Sequence, residues 1–231
     1  MSAAALLVFA RCTGFVFRAP GISYPGVPPA LRVGLALALT LAILPAVPRT
    51  ANLDGVSLVA LLALEFLTGS AIGIGASVVY DGAYAGGRAV DDYVGVRAIA
   101  PNVHLVAPSG FGRIWSLAFT GAFFLMGAYR PVVLAFAGSF ARLPPGTPFA
   151  AGAWMLAIPT ELFRAALAVA GPSIAAGFVA NVALGALSRT IPRFGSLTLS
   201  FPVVFGSVMI AGAATLAVLL VHQALPLLPM P

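Results

Sequence analysis

Glu65 is the first residue to examine for chemistry, because it is the one carboxylate set deep inside an apolar run. An ionisable group in such a place is costly to keep, so it implies either a function or a partner. It could relay protons or coupling ions, or it could pair with an arginine on a neighbouring helix. Arg11, inside the first apolar run, is the candidate intramembrane partner. The structural pair is the favoured role.

Other reactive residues are sparse. His104 and Ser109 share a polar loop, and His222 lies near the end of the last apolar run. A serine hydrolase would need its serine and histidine on packed helices around a water pocket, with donors for an oxyanion. A loop pair five residues apart, without that motif, does not supply this. Glu161 and Arg164 have the spacing of an ordinary ion pair at a helix entrance. Cys12 stands alone, which excludes an intramolecular disulfide and a thiolate metal cage. No metal-ligand spacing or phosphate-cradling glycine loop appears, so neither an enzyme nor a cofactor is expected.

The elements that must hold these residues follow from composition. Hydrophobic residues make up 61% of the chain and charged residues 8%, where a soluble domain carries roughly 25% charged. So few charges cannot cover a water-soluble surface, and the solvent must be lipid or apolar protein. The expected class is an all-α integral membrane protein. A net charge of +6 would suggest nucleic acid in a soluble protein. Here the 12 basic residues, all arginine, sit between apolar runs. Positive-inside topology and acidic lipid headgroups account for them, and no nucleic acid is expected.

Helix-length apolar runs occur at about Ala3–Phe17, Leu31–Val47, Val56–Tyr80, Ile114–Phe140, Leu162–Leu187 and Phe201–Leu225. About six hydrophobic segments are therefore expected, not all of them crossing, with the fourth broken at Pro131. They make a single membrane domain over 1–231, since no soluble domain fits between them. Arg11 interrupts the first run and no A-x-A site follows, so that run is expected to be a retained span. Pro20, Pro25, Pro28 and Pro29 predict a stiff, extended first connection. Arginines concentrate in the first, third and fifth connections, which places those in the cytoplasm and both termini outside.

Gly69 and Gly73, followed by Gly82 and Gly86, repeat at a spacing of four on one helix face. Such glycines either let helix backbones approach closely or reflect the general glycine richness of the chain. The interval Gly86–Gly112 is too apolar for a free loop. Irregular backbone at membrane depth persists only when buried in protein or lining a cavity, so the interval reads as pore-lining, or else as a cytoplasmic loop lying on the bundle. Asn181–Pro202 reads as a helical hairpin whose tip carries Arg189 and Arg193 around Pro192.

Four stretches, in order, carry a family resemblance. They are Arg11 with APGISYPGVPPALRVGLALALTLAILP (Ala19–Pro45), LEFLTGSAIGIG (Leu64–Gly75), GAYRPVVLAFAGSFARLPPG (Gly127–Gly146), and NVALGALSRTIPRF followed by Phe201–Pro202. Together they resemble the FliR/SctT family, the export-apparatus subunit of flagellar and injectisome type III secretion in the bacterial inner membrane.

The resemblance implies a non-enzymatic gate subunit working with FliP/SctR-like and FliQ/SctS-like subunits. FlhB/SctU-like and FlhA/SctV-like proteins would stand beside it, and unfolded secreted polypeptides would pass through. It implies a FliP-like part over 1–146 and a FliQ-like hairpin over 147–231. Within the first, a plug lies at about Arg97–Gly112, with Gly95, Arg97, Pro101, Asn102, Pro108 and Gly110 as its candidate residues. In the second, Asn181, Gly185, Arg189, Pro192 and Arg193 form a cytoplasmic tip. Asp91, Asp92 and Tyr93 depart from the family pattern, which is more apolar there. The chain also starts later than typical members and lacks their longer C-terminal tail. The alternative is a small transporter or channel using Glu65 for coupling, for which inverted repeats would be expected.

Overall fold

Away from water, every backbone N–H and C=O must find its partner within its own segment, and the helix is the form that achieves this. The computed structural model describes residues 3–24, 26–47, 57–95, 109–147, 153–191, 193 and 196–221. Among them the order is α1 (Ala3–Arg18), α2 (Pro29–Ile43), α3 (Leu58–Val94), α4 (Gly110–Leu125), α5 (Tyr129–Arg142), α6 (Ala153–Ser188) and α7 (Leu197–Val221). A 3-10 turn, Leu44–Ala46, extends α2. No strand occurs among the described residues.

Among the described residues, four helical stretches are long and apolar enough to cross a membrane: Pro29–Ala46, Leu58–Val94, Leu156–Ser188 and Ser200–Val218. The bent pair α4–α5 makes a fifth when counted as one broken span. The chain is thus an all-α, multi-pass membrane protein. At 16 residues, α1 is shorter than the ~20 that a span needs.

Three expectations need correction. The third segment does not stop at Tyr80 but runs on to Val94, giving a helix of 37 residues. At 1.5 Å per residue that is about 55 Å, well beyond the ~30 Å hydrocarbon core. Asp81, Arg88, Asp91 and Asp92 are therefore helical residues rather than loop residues.

The fourth run breaks at Met126–Ala128, where Gly127 takes φ +73°, and not at Pro131. Pro131 lies in the first turn of α5, where a missing N–H costs nothing. Finally, the first connection is extended at Pro28 (φ −57°, ψ 138°) but not throughout. Before that it coils back on itself, with Ser23 N–H donating to Ala19 O at 3.0 Å.

Two compact units divide the contacts: Met1–Val78 with Phe123–Pro159 and Leu227–Pro231, and Val79–Ala122 with Thr160–Pro226. In the first, α1 packs against the leading part of α3, and Phe15 stacks on Phe136 of α5 at 4.1 Å between ring centroids. In the second, the trailing part of α3 packs on α6 and α4, and Phe111 meets Phe205 of α7 edge-on.

Candidate functional site

Arg11 projects from α1 into the first unit and is 1% exposed; Glu65 of α3 is 2% exposed. The Arg11 Nε–H donates to Glu65 Oε2 at 2.5 Å. Arg11 Nη1 donates to Leu143 O at 2.9 Å and to Ser139 O at 3.4 Å. Both carbonyls belong to the C-terminal end of α5, where the helix dipole favours a cation. The guanidinium also lies 4.4 Å over the Phe140 ring.

Glu65 uses its other oxygen, Oε1, to accept the Gly146 N–H at 2.8 Å. Gly146 stands at φ +91°, a left-handed conformation that glycine adopts without steric cost. One ion pair thus joins α1, α3, α5 and the Leu143–Gly146 turn. A buried pair survives when its remaining lone pairs and protons are satisfied, and both carboxylate oxygens here have donors.

Glycine makes this approach possible. A Cβ at Gly14 would lie 2.1 Å from Phe66 O, and one at Gly69 would lie 1.9 Å from Arg11 O. The two glycines face each other's backbone across the α1–α3 crossing. Gly73 continues the seam, 2.8 Å from Phe15 O by the same measure. Within the second unit the pattern repeats with different partners. A Cβ at Gly82 or Gly86 would meet Leu162 O or Ala166 O of α6 at 2.6 and 2.5 Å. At each of these five glycines a facing backbone comes too close to leave room for a side chain.

A second polar cluster closes the far end of α3. Asp91, 2% exposed, accepts from the Ser109 hydroxyl through Oδ2. It also accepts the Phe111 N–H, at 3.2 Å to Oδ2 and 3.3 Å to Oδ1. Ser109 is the N-cap of α4, its Oγ accepting the Gly112 N–H at 2.7 Å. Two residues on, Tyr93 Oη accepts from Asn181 Nδ2 of α6 at 3.0 Å.

Gly95 directly follows α3 at φ +79°, and Gly110 is the first residue of α4. Residues 95–109 lie between α3 and α4, and 96–108 of them fall outside the described residues. Arg97, Pro101, Asn102, His104 and Pro108 lie outside the described residues. So do Pro192 of the hairpin tip and His222. Asn181 and Gly185 are in α6 rather than at a tip, and Arg189 and Arg193 are exposed in the turn before α7. Arg164 Nη1 pairs with Glu161 Oε1 at 2.7 Å, more than two turns into α6 and not at its entrance. Among the described residues no group of His, Cys, Asp and Glu could hold a metal ion.

Sequence reasoning missed Gly14, the Gly146 amide and the Asp91–Ser109 contact. Gly14 had a visible signal, lying one helical turn after Arg11. The other two depend on which helices meet.

Residues 2–225 match the family described as bacterial export proteins, family 1. The chain belongs to that family. This is the FliR/SctT family named by the resemblance, and its members are components of type III secretion or flagellar export. No curated protein matches the chain. The stretches that carry the family resemblance make many of the contacts described above. LEFLTGSAIGIG holds Glu65, Gly69 and Gly73, the Leu-Pro-Pro-Gly turn receives the ion pair, and NVALG supplies Asn181.

Proposed function

We propose that the chain is a structural subunit of a type III export gate in the bacterial inner membrane. It assembles with FliP-like and FliQ-like subunits, beside FlhB-like and FlhA-like proteins, to pass unfolded polypeptides. Residues 1–146 supply the FliP-like part and 147–231 the FliQ-like hairpin. The role is non-enzymatic and needs no cofactor.

The observation that carries this reading is how little of the apolar helical surface the chain covers for itself. Among the described residues, the four long apolar stretches are at most 44% buried, and two of them are 17% buried. Phe178, Val179, Val182 and Leu187 stand exposed along the last turns of α6. A helix apolar all round belongs against protein or lipid. Gly34, Gly121, Gly138, Gly171, Gly185 and Gly206 have nothing among the described residues within 4 Å of where a Cβ would stand. Helical glycine costs about 1 kcal/mol relative to alanine, and packing against partner helices would offset it.

Glu65 supports the same reading over the transporter. A coupling carboxylate must release and rebind its ion, whereas both oxygens of Glu65 are occupied by donors of the fold. The segment at about Arg97–Gly112 is read as the pore-sealing segment. Small and aliphatic residues seal by packing and dewetting, and make no specific bond that a moving polypeptide must break.

The test is co-expression. With FliP-like and FliQ-like partners the chain should accumulate in membranes in a protease-resistant form, and alone it should be degraded. Equal accumulation without partners would argue against a gate subunit. Deleting residues within 97–108 should leave assembly intact and make the membrane leaky. A tight, normally secreting deletion would remove the sealing role.

A further inference from the structure

α1 is poorly suited to lipid and well enclosed by protein. Its 16 residues make about 24 Å of helix, against a hydrocarbon core of ~30 Å. Arg11 stands near its middle, where a cation is costly in lipid. Nine of the 16 residues are buried, against three of 15 in α2. Leu7, Val8, Cys12 and Val16 are fully buried.

The enclosure is specific to α1. Glu65, Gly69 and Gly73 recur at intervals of four on one face of α3. Glu65 takes the Arg11 side chain, and Gly69 admits the Arg11 backbone, whose carbonyl leaves no room for a Cβ there. Gly73 admits the last turn of α1, where a Cβ would lie 2.7 Å from Arg18 Cβ. Toward the other end of α1, Leu7 Cδ1 lies 4.0 Å from where a Cβ on Gly146 would stand. Lipid tails are as apolar as leucine, so apolar surface alone does not drive one helix onto another. Arg11 supplies the drive. Lipid tails offer it no acceptor, whereas the first unit offers a carboxylate and two carbonyls.

We propose that α1 is a dependent helix: Glu65, Gly69 and Gly73 of α3 and the turn after α5 hold it in the apolar phase, not its own hydrophobicity. Arg11 is the residue that makes it so. Without Glu65, α1 should move toward water, because an unpaired guanidinium stays hydrated. The inference concerns the first unit by itself and stands apart from the export-gate reading.

Cys12 reports on this directly, being the one cysteine of the chain, next to Arg11 and fully buried. The experiment measures how fast N-ethylmaleimide alkylates Cys12 in the full-length chain in its native membrane. Wild type is compared with Glu65→Leu and with the double replacement Arg11→Met and Glu65→Leu. A second series carries Cys12→Ala with Ser173→Cys, moving the reporter to a fully buried position of α6 in the second unit. Wild type should react at Cys12 only after denaturation in SDS. Glu65→Leu should react about tenfold faster or more, with the reporter at position 173 still protected. The double replacement should return Cys12 to near wild-type protection, since its α1 carries no charge to hydrate.

If the Glu65→Leu chain is degraded before labelling, the double replacement should still accumulate with Cys12 protected. Degradation of both would overturn the role of Arg11. So would a Cys12 that stays protected in Glu65→Leu, or one that is equally reactive in the double replacement. Reactivity at both reporters in Glu65→Leu would mean general unfolding rather than release of α1, and would overturn the inference as well.

Discussion

Arg11 and Glu65 lie 54 positions apart in sequence and 2.5 Å apart in space, and the pair is the junction on which the first unit is built. Each end reaches α5 or the turn after it, Arg11 through the carbonyls of Ser139 and Leu143, Glu65 through the Gly146 amide. Removing one partner of a buried pair leaves the other uncompensated, at a cost of about 3–5 kcal/mol.

Glu65→Gln should therefore lower the amount and thermal stability of the assembled complex, while secretion per assembled complex stays near wild type. Replacing both partners, Arg11→Met with Glu65→Leu, should recover part of the loss, because no orphaned charge is left. Quantitative blotting of complex and secreted substrate separates the cases. Normal assembly with abolished transport in Glu65→Gln would revive the coupling role.

Gly14 and Gly69 should tolerate no side chain. A Cβ on either would come within 2.1 Å of a carbonyl oxygen on the facing helix, so α1 and α3 would have to separate. Alanine at each should cost about 1–3 kcal/mol, the range for overpacking a tight contact. Gly138 has nothing within 4 Å, and Gly138→Ala should stabilise the isolated chain by up to about 1 kcal/mol through helix propensity. Thermal unfolding of the three variants in detergent would rank them. A Gly69→Ala variant as stable as wild type would show that the seam does not exist.

Gly146→Ala tests the turn that receives Glu65. An L-residue at φ +91° carries a strain of roughly 1–2 kcal/mol. Relieving it would pull the amide away from the carboxylate. The variant should lose stability, and in a Glu65→Leu background the further loss should be smaller, since the hydrogen bond is already gone. Equal losses in both backgrounds would separate the turn from the ion pair.

Much of this was legible in the sequence for a physical reason. Composition requires an apolar solvent, apolar runs of helix length make the segments helical, and Glu65 and Arg11 are conspicuous because an apolar run cannot hide a charge. The spacing of Gly69, Gly73, Gly82 and Gly86 marks one face of one helix, but not that α1 uses the first pair and α6 the second. The end of α3 is hidden in the sequence because Asp81, Arg88, Asp91 and Asp92 look like loop residues. Asp91 stays helical because α4 supplies donors to its carboxylate, a tertiary fact that no local pattern carries. Pro131 drew attention as a helix breaker, while the break belongs to Gly127, whose positive φ is a backbone property invisible in a list of residues.

The most direct test of the export-gate assignment is to purify the tagged chain from its native membrane in mild detergent and identify by mass spectrometry what comes with it. The account predicts FliP-like and FliQ-like proteins in multi-copy excess over the chain. A stable lone monomer or homodimer, with its apolar helices covered by detergent alone, would contradict it.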